Sequence, residues 1–189
     1  AIEGICNAQS GNYLVFFPSY AYMAAVLELV KERLPEEQLL VQSRGMTETE
    51  REDFLNQFST DNAETMIGFA VMGGIFGEGI DLVGERLIGA IVVGVGLPQM
   101  GLERDLIRDY FNKENGNGFA YAYQYPGFNR VLQATGRVIR TETDRGIIVL
   151  IDERFSHTRY RRLFPTHWRG FQVIQSDDEI KDHLERFWL

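Results

Sequence analysis

Five short apolar runs recur along the chain, at residues 13–17, 39–41, 66–71, 87–95 and 146–151. Each is rich in β-branched and aromatic residues, and none alternates apolar with polar. A strand with one wet face would alternate, so these runs must be covered on both sides. Helical stretches lie between them. Ser19 caps a helix expected to run to about Leu34, with Met23, Val26, Leu27 and Val30 on one face and Pro35 as its stop. Thr47 and Glu50 form a capping box for a helix over 48–58 that turns Phe54, Leu55 and Phe58 inward. Further helices are expected over 101–113, from about Tyr121 or Phe128 to Arg140, and from Asp177 to about Phe187 after the cap Ser176. Residues 171–174 read as a last strand. The pattern predicts an α/β fold: a mainly parallel sheet with helices on both faces, in one compact domain over residues 1–189.

Other features narrow the class. A lone cysteine, Cys6, can make neither an internal disulfide nor a multi-cysteine metal site, which points to a reducing, cytoplasmic setting. No apolar run reaches the roughly 18 residues of a membrane span. The longest, residues 87–97, is broken by Gly89, Gly94 and Gly96 and ends at Pro98. The chain opens at Ala1 with neither an initiator Met nor a signal peptide, which reads as a fragment boundary. Net charge is −8, yet residues 130–170 hold nine arginines against four acids, a local +5 that leaves −13 for the remainder. A local basic field suits phosphate. A solvated face explains it equally well.

Several constellations carry potential chemistry. Gln133, Arg137 and Arg140 fall on one side of the expected helix, and Gly136 lets a ligand or backbone come close. Two guanidinium forks side by side repel unless an anion lies between them, and a triphosphate is a natural occupant. The alternative is surface pairing with Glu142, Asp144 or Asp152. Gly73, Gly74, Gly77 and Gly79 follow a strand directly, where open α/β sheets bind ligands, and Asp81 could accept from a ribose hydroxyl. Neither a dinucleotide fingerprint nor a Gly-Lys-Ser/Thr phosphate loop occurs. Ser19 at a helix start and Arg44 in a loop could touch phosphate, or be a plain cap and an exposed arginine. Asp152 and Glu153 form a carboxylate pair whose bland reading is salt bridging. Trp168 and Trp188 could stack on bases or serve as core anchors. The scattered His157, His167 and His183 offer no metal-ligand spacing, so no metal site is expected.

Taken in order, these segments resemble the C-terminal motor domain of superfamily two DNA helicases of the XPD/DinG, Rad3-related, group. "VFFPSY" (residues 15–20) is similar to motif IV. "GGIFGEGIDLVGERLIGAIVVGVGLP" is similar to motif V, and "QATGRVIRTETDRGIIVLIDERF" to motif VI with its trailing strand and Asp-x-Arg. "LFPTHW" is similar to a later segment of the group. The resemblance covers roughly residues 13–169. It implies a RecA-like, P-loop NTPase-type three-layer sandwich, and a function in 5′-to-3′ translocation on single-stranded DNA coupled to ATP hydrolysis, as in DNA repair helicases. On matching positions it implies that Gln133, Arg137 and Arg140 face ATP, with the arginines as fingers. Glu78, Gly79, Asp81 and Gly136 would contact the nucleotide, and Ser19, Arg44, Gly73 and Gly74 would line the DNA. ATP and Mg²⁺ would be held mainly by an N-terminal RecA-like domain outside this chain, and an iron–sulfur cluster, if present, would also lie elsewhere. Relatives often carry a basic residue near Gly73 and a Ser near Gly77, so backbone amides would replace those side chains here. The competing readings are a non-motor nucleotide-binding α/β module and a scaffold domain.

Overall fold

The computed structural model describes residues 1–76, 82, 84–139, 141 and 143–189, apart from the side chains at 37 and 85. Helix α1 (Ile2–Asn7) leads into β1 (Asn12–Phe17), then α2 (Tyr20–Lys31), β2 (Leu39–Val41), α3 (Glu48–Asn56) and β3 (Met66–Val71). Strand β4 (Gly89–Val93), α4 (Leu102–Asn115), α5 (Tyr125–Thr135), β5 (Ile147–Ile151), the single turn α6 (Thr158–Arg161) and α7 (Asp177–Trp188) complete the order.

Among the described residues, the sheet has five strands in the order β2-β3-β1-β4-β5, with every pairing parallel. Strand β1 lies at its centre, and all six of its residues are buried. Its side chains divide between the faces. Tyr13, Val15 and Phe17 join Ile5 of α1, Met23 and Val30 of α2 and Leu184 of α7. Leu14 and Phe16 join Phe54 and Phe58 beside α3, Phe128, Val131 and Ala134 of α5, and Tyr160 of α6. Complete burial of each large apolar side chain contributes about 1.5–3 kcal/mol, so one strand anchors both helical layers. The result is the three-layer α/β arrangement anticipated from the runs. Cys6 sits inside the first face, and burial pushes its thiol up to about 12, so it behaves as a small core hydrophobe.

Local signals explain most element boundaries. Thr47 Oγ1 accepts from Glu50 N at 3.3 Å while the Glu50 carboxylate accepts from Thr47 N at 2.7 Å, the reciprocal box foreseen for α3. Ser176 Oγ accepts from Glu179 N at 3.2 Å at the start of α7. At the amino ends of the strands, buried Asn12 donates to Ser59 O (2.9 Å) and Arg86 O (3.1 Å) and accepts from Asn62 (3.2 Å), tying three loops to β1.

Two expectations need correction, and one helix start takes an unexpected form. The helix expected to reach Arg140 stops at Thr135, and residues 136–138 form a turn. Thr135 Oγ1 bonds back to Val131 O (2.9 Å) and Leu132 O (3.2 Å), competing for the last carbonyls, and Gly136 follows as the cap. Arg137 is therefore outside the helix, and helical spacing no longer places it beside Arg140, which lies outside the described residues. Residues 171–174 are not a strand: they are an irregular stretch with Phe171 and Val173 exposed, and Phe171 rests edge-on against Phe164. Finally, α5 is preceded by a π-helical turn, Ala120–Gln124. Pro126 has no N–H to give to the Ala122 carbonyl, which Arg104 approaches at 3.4 Å instead, and Tyr125 N reaches back to Ala120 O.

Close packing at β3 gives a test. A Cβ on Gly68 would lie 2.6 Å from Phe58 Cζ and 2.7 Å from Leu14 Cδ2. Gly68→Ala should destabilise the fold by about 1–3 kcal/mol through overpacking, read by urea unfolding. An unchanged midpoint would show that the α3 side of the core is looser than this.

Candidate functional site

Loops at the carboxyl ends of the strands form one rim. Pro18 and Ser19 follow β1, Gln42–Gly45 follow β2, Met72–Gly74 follow β3, and residues 94–98 follow β4. Ser19 is exposed and caps α2, its Oγ accepting from Tyr22 N at 3.2 Å. Arg44 is exposed, with its guanidinium carbon 5.1 Å from the centre of the Tyr20 ring. Gly73 adopts φ +72°, a left-handed conformation that favours glycine, and Gly74 lies next to it. Thus Ser19, Arg44, Gly73 and Gly74 share this edge.

A residue not singled out from sequence holds the edge together. Gln42 is 3% exposed. Its Oε1 accepts from Val71 N at 2.8 Å, and its Nε2 donates to Tyr20 Oη at 2.8 Å. One buried amide thus joins the ends of β2 and β3 to the first residue of α2. Its signal in the sequence was a polar residue directly after the apolar run 39–41.

The second candidate group lies at the other end of the sheet. Gly127, at the start of α5, packs on the backbone of residues 95–97, where a Cβ would come 2.8 Å from Val95 O. Val138, just past the end of α5, packs against Gly146 at the amino end of β5. Helix α5 therefore runs from the carboxyl rim back to the amino ends, a length of roughly 16 Å at 1.5 Å per residue. Exposed Gln133, exposed Gly136 and half-buried Arg137 gather at its far end, where the Arg137 Nε is shielded from solvent. They are not neighbours of Gly73 and Gly74. The glycine-rich crossover does link the two ends. It leaves the rim at Gly73 and reaches the amino ends at Gly84, close to Asn12 and Ile88. Phe76 and Leu82 pin it into the same core as Val131, Ala134 and Val138. Glu78, Gly79, Asp81 and Arg140 lie outside the described residues.

Other candidates resolve into structure. Asp152 caps the turn after β5 and takes two bonds from Arg154, Nε to Oδ1 at 2.8 Å and Nη2 to Oδ2 at 2.6 Å. Burial alone would push the Asp152 carboxyl up. The hydrogen bonds from the Arg154 side chain and backbone outweigh it and hold the carboxyl below its usual range. This is the salt bridge, not a catalytic dyad. Trp168 packs against Phe128 and Phe164 as a core anchor. Among the described residues, no cluster of His, Cys, Asp or Glu could hold a metal ion, and no helix is long and apolar enough to cross a membrane.

The lowered Asp152 carboxyl sets a pH dependence. Its pairing stabilises the fold above the ordinary carboxylate range and loses that effect as pH falls through the depressed native value. Arg154→Met should cost about 1 kcal/mol at pH 7 and progressively less below about pH 4, read by thermal unfolding. An equal cost at both pH values would show that packing, not charge, is what Arg154 supplies.

Comparison with known proteins identifies the family. The helicase C-terminal domain family matches residues 2–171. A probable ATP-dependent helicase of Methanocaldococcus jannaschii is 29% identical over 96% of this chain and 28% of its own length. The regulator of telomere elongation helicase 1 of Bos taurus is 31% identical over 87% of this chain and 15% of its own. Among solved structures, an XPD helicase superposes with a TM-score of 0.66 at 25% identity, covering 85% of this chain and 28% of the other. The chain thus spans under a third of each of these relatives. With the five-stranded parallel sheet, the buried central strand and the match over 170 of 189 residues, the chain belongs to the helicase C-terminal domain family, alongside the XPD and Rad3-related helicases.

Proposed function

We propose that this chain is the second RecA-like motor domain of an ATP-dependent DNA helicase, one half of a two-domain engine that moves 5′-to-3′ on single-stranded DNA. The observation that carries this reading is the layout of α5. It spans the sheet from the rim holding Ser19, Arg44, Gly73 and Gly74 to the end holding Gln133, Gly136 and Arg137. A motor must couple a nucleotide site to a DNA track, and the packed helix α5 between the ends provides a route for that coupling.

In this scheme, an N-terminal RecA-like domain of the same protein presents ATP and Mg²⁺ across a cleft. The chain has no Gly-Lys-Ser/Thr loop of its own to grip a triphosphate. Arg137, with Arg140, meets the negative charge developing at the γ-phosphate, and Gln133 and Gly136 border it. Glu78, Gly79 and Asp81 are assigned to the nucleotide by sequence pattern. Ser19, Arg44, Gly73 and Gly74 lie along the DNA. When the γ-phosphate leaves, the arginines lose their anion and the domains part. An iron–sulfur cluster, where the full protein carries one, is assigned to the other domain, since Cys6 is buried and single.

An arginine finger supplies on the order of 10³-fold or more in turnover. Arg137→Ala in the full-length protein should therefore abolish DNA-stimulated ATPase while the thermal melt stays near wild type. Near-normal turnover would refute the role. Tight ATP binding by the isolated domain, measured by calorimetry, would favour the non-motor nucleotide-binding reading instead.

A further inference from the structure

Arg130 is absent from every site named so far, yet it lies in the crevice most suited to bind a ligand. Strands β1 and β4 are neighbours, and the chain leaves them in opposite directions: β1 through α2 towards β2 on one face, β4 through α4 and α5 towards β5 on the other. Open α/β sheets hold ligands outside the carboxyl ends of the strands at such a switch point. The loops after β1 and β4 touch there, with Pro18 against Gly94. The Arg130 side chain rises from α5 to this place. Its Nη1 donates to Gly96 O, after β4, at 3.4 Å. Its Nε and Cδ occupy the space beside Gly73, after β3, where a Cβ would come within 2.9 Å and 3.1 Å of them. The guanidinium therefore bridges the loops of the two strands that flank β1.

Charge makes this arrangement informative. Helix α5 contains no acidic residue, so no neighbour one turn away can neutralise Arg130. The side chain is half-buried, and among the described residues it is in no ion pair. A guanidinium carries five N–H donors in a planar fork, and here one is used, at long range, on a carbonyl. A half-buried, permanently charged fork with free donors is costly to hold unless an anion completes it. Two further features favour an anion at the same rim: the start of the twelve-residue α2 at Ser19, and the exposed Arg44 over Tyr20.

We propose that Arg130 is a phosphate-binding residue of the single-stranded DNA track, presenting its guanidinium from α5 beside Gly73. The absence of a side chain at Gly73 is what admits the Arg130 fork to the rim. The assignment rests on the DNA-translocation reading above, and it names a contact that reading did not contain.

The test is salt dependence of DNA binding in the full-length protein. A fluorescein-labelled twenty-nucleotide oligo-dT is titrated by anisotropy at several salt concentrations. Each phosphate contact contributes about 0.7 to the slope of log affinity against log salt for single strands. Arg130→Gln should lower that slope by about 0.7 and weaken binding about tenfold, while Arg130→Lys retains the slope. Arg130→Met keeps the apolar stem against Gly73 and serves as a second charge-free variant, with thermal melts as the folding control. An unchanged slope in a folded charge-free variant, beside a steep wild-type slope, overturns the Arg130 assignment and leaves the DNA reading standing. A loss of ATP affinity with the DNA slope unchanged also overturns it. Wild-type protein with no salt-dependent affinity for the oligonucleotide sinks the DNA reading itself, and this proposal with it.

Discussion

The burial of β1 is the constraint on which the rest depends. Its six residues have no solvent-facing side, and both of its edges carry parallel partners. A strand in that position can be left only by a crossover, because parallel neighbours cannot be joined by a tight turn. Each crossover must then lay an apolar stripe on one face. Phe54 and Phe58 on one side, and Met23 and Val30 on the other, are what those stripes look like in this sequence. With the layers fixed, the loops at the carboxyl ends have nowhere to lie but along one rim.

That rim and the far end of α5 hold two separate groups of candidate residues. The rim is ordered by backbone and by a few orienting groups: the Gln42 amide, the Ser19 cap and the left-handed turn at Gly73. At the other end Arg137 sits past the cap of α5, on a turn rather than on the helix itself. The packed helix α5 joins this end to Arg130 and the loop after β4.

The strands were legible in the sequence because their apolar runs are short, unbroken and bounded by Pro, Gly or a cap. The capping pairs Thr47–Glu50 and Ser176–Glu179 were legible because each is a local, one-turn interaction. The end of α5 was not. Gly136 was visible, but its reading as a place of close approach hid its role as a stop, and Thr135 bonding back to two carbonyls depends on a burial that only packing reveals. Residues 171–174 have strand-like composition, yet they join neither edge of the sheet, which ends at β2 and β5. Arg130 and Gln42 were passed over because each is a single polar residue without a spacing pattern. Their importance comes from the loops they meet, which are distant in sequence. For Arg130 a usable sign existed, since an arginine on a helix without any acid has to find its counter-charge elsewhere.

The π turn before α5 has a consequence of its own. One residue more than an α-helical turn would use is inserted there, which slips the angular phase of the helix by about 100°. Phe119, just before the slip, and Tyr121, within it, are part exposed, and Tyr121 lies flat on Phe111 of α4. Downstream, Phe128 and Val131 face the sheet. The insertion separates the two orientations, so the outward rings of Phe119 and Tyr121 and the inner face of α5 follow different helical phases. In this fold, a proline that spoils one hydrogen bond accompanies a change in which side of a single helical rod meets the sheet.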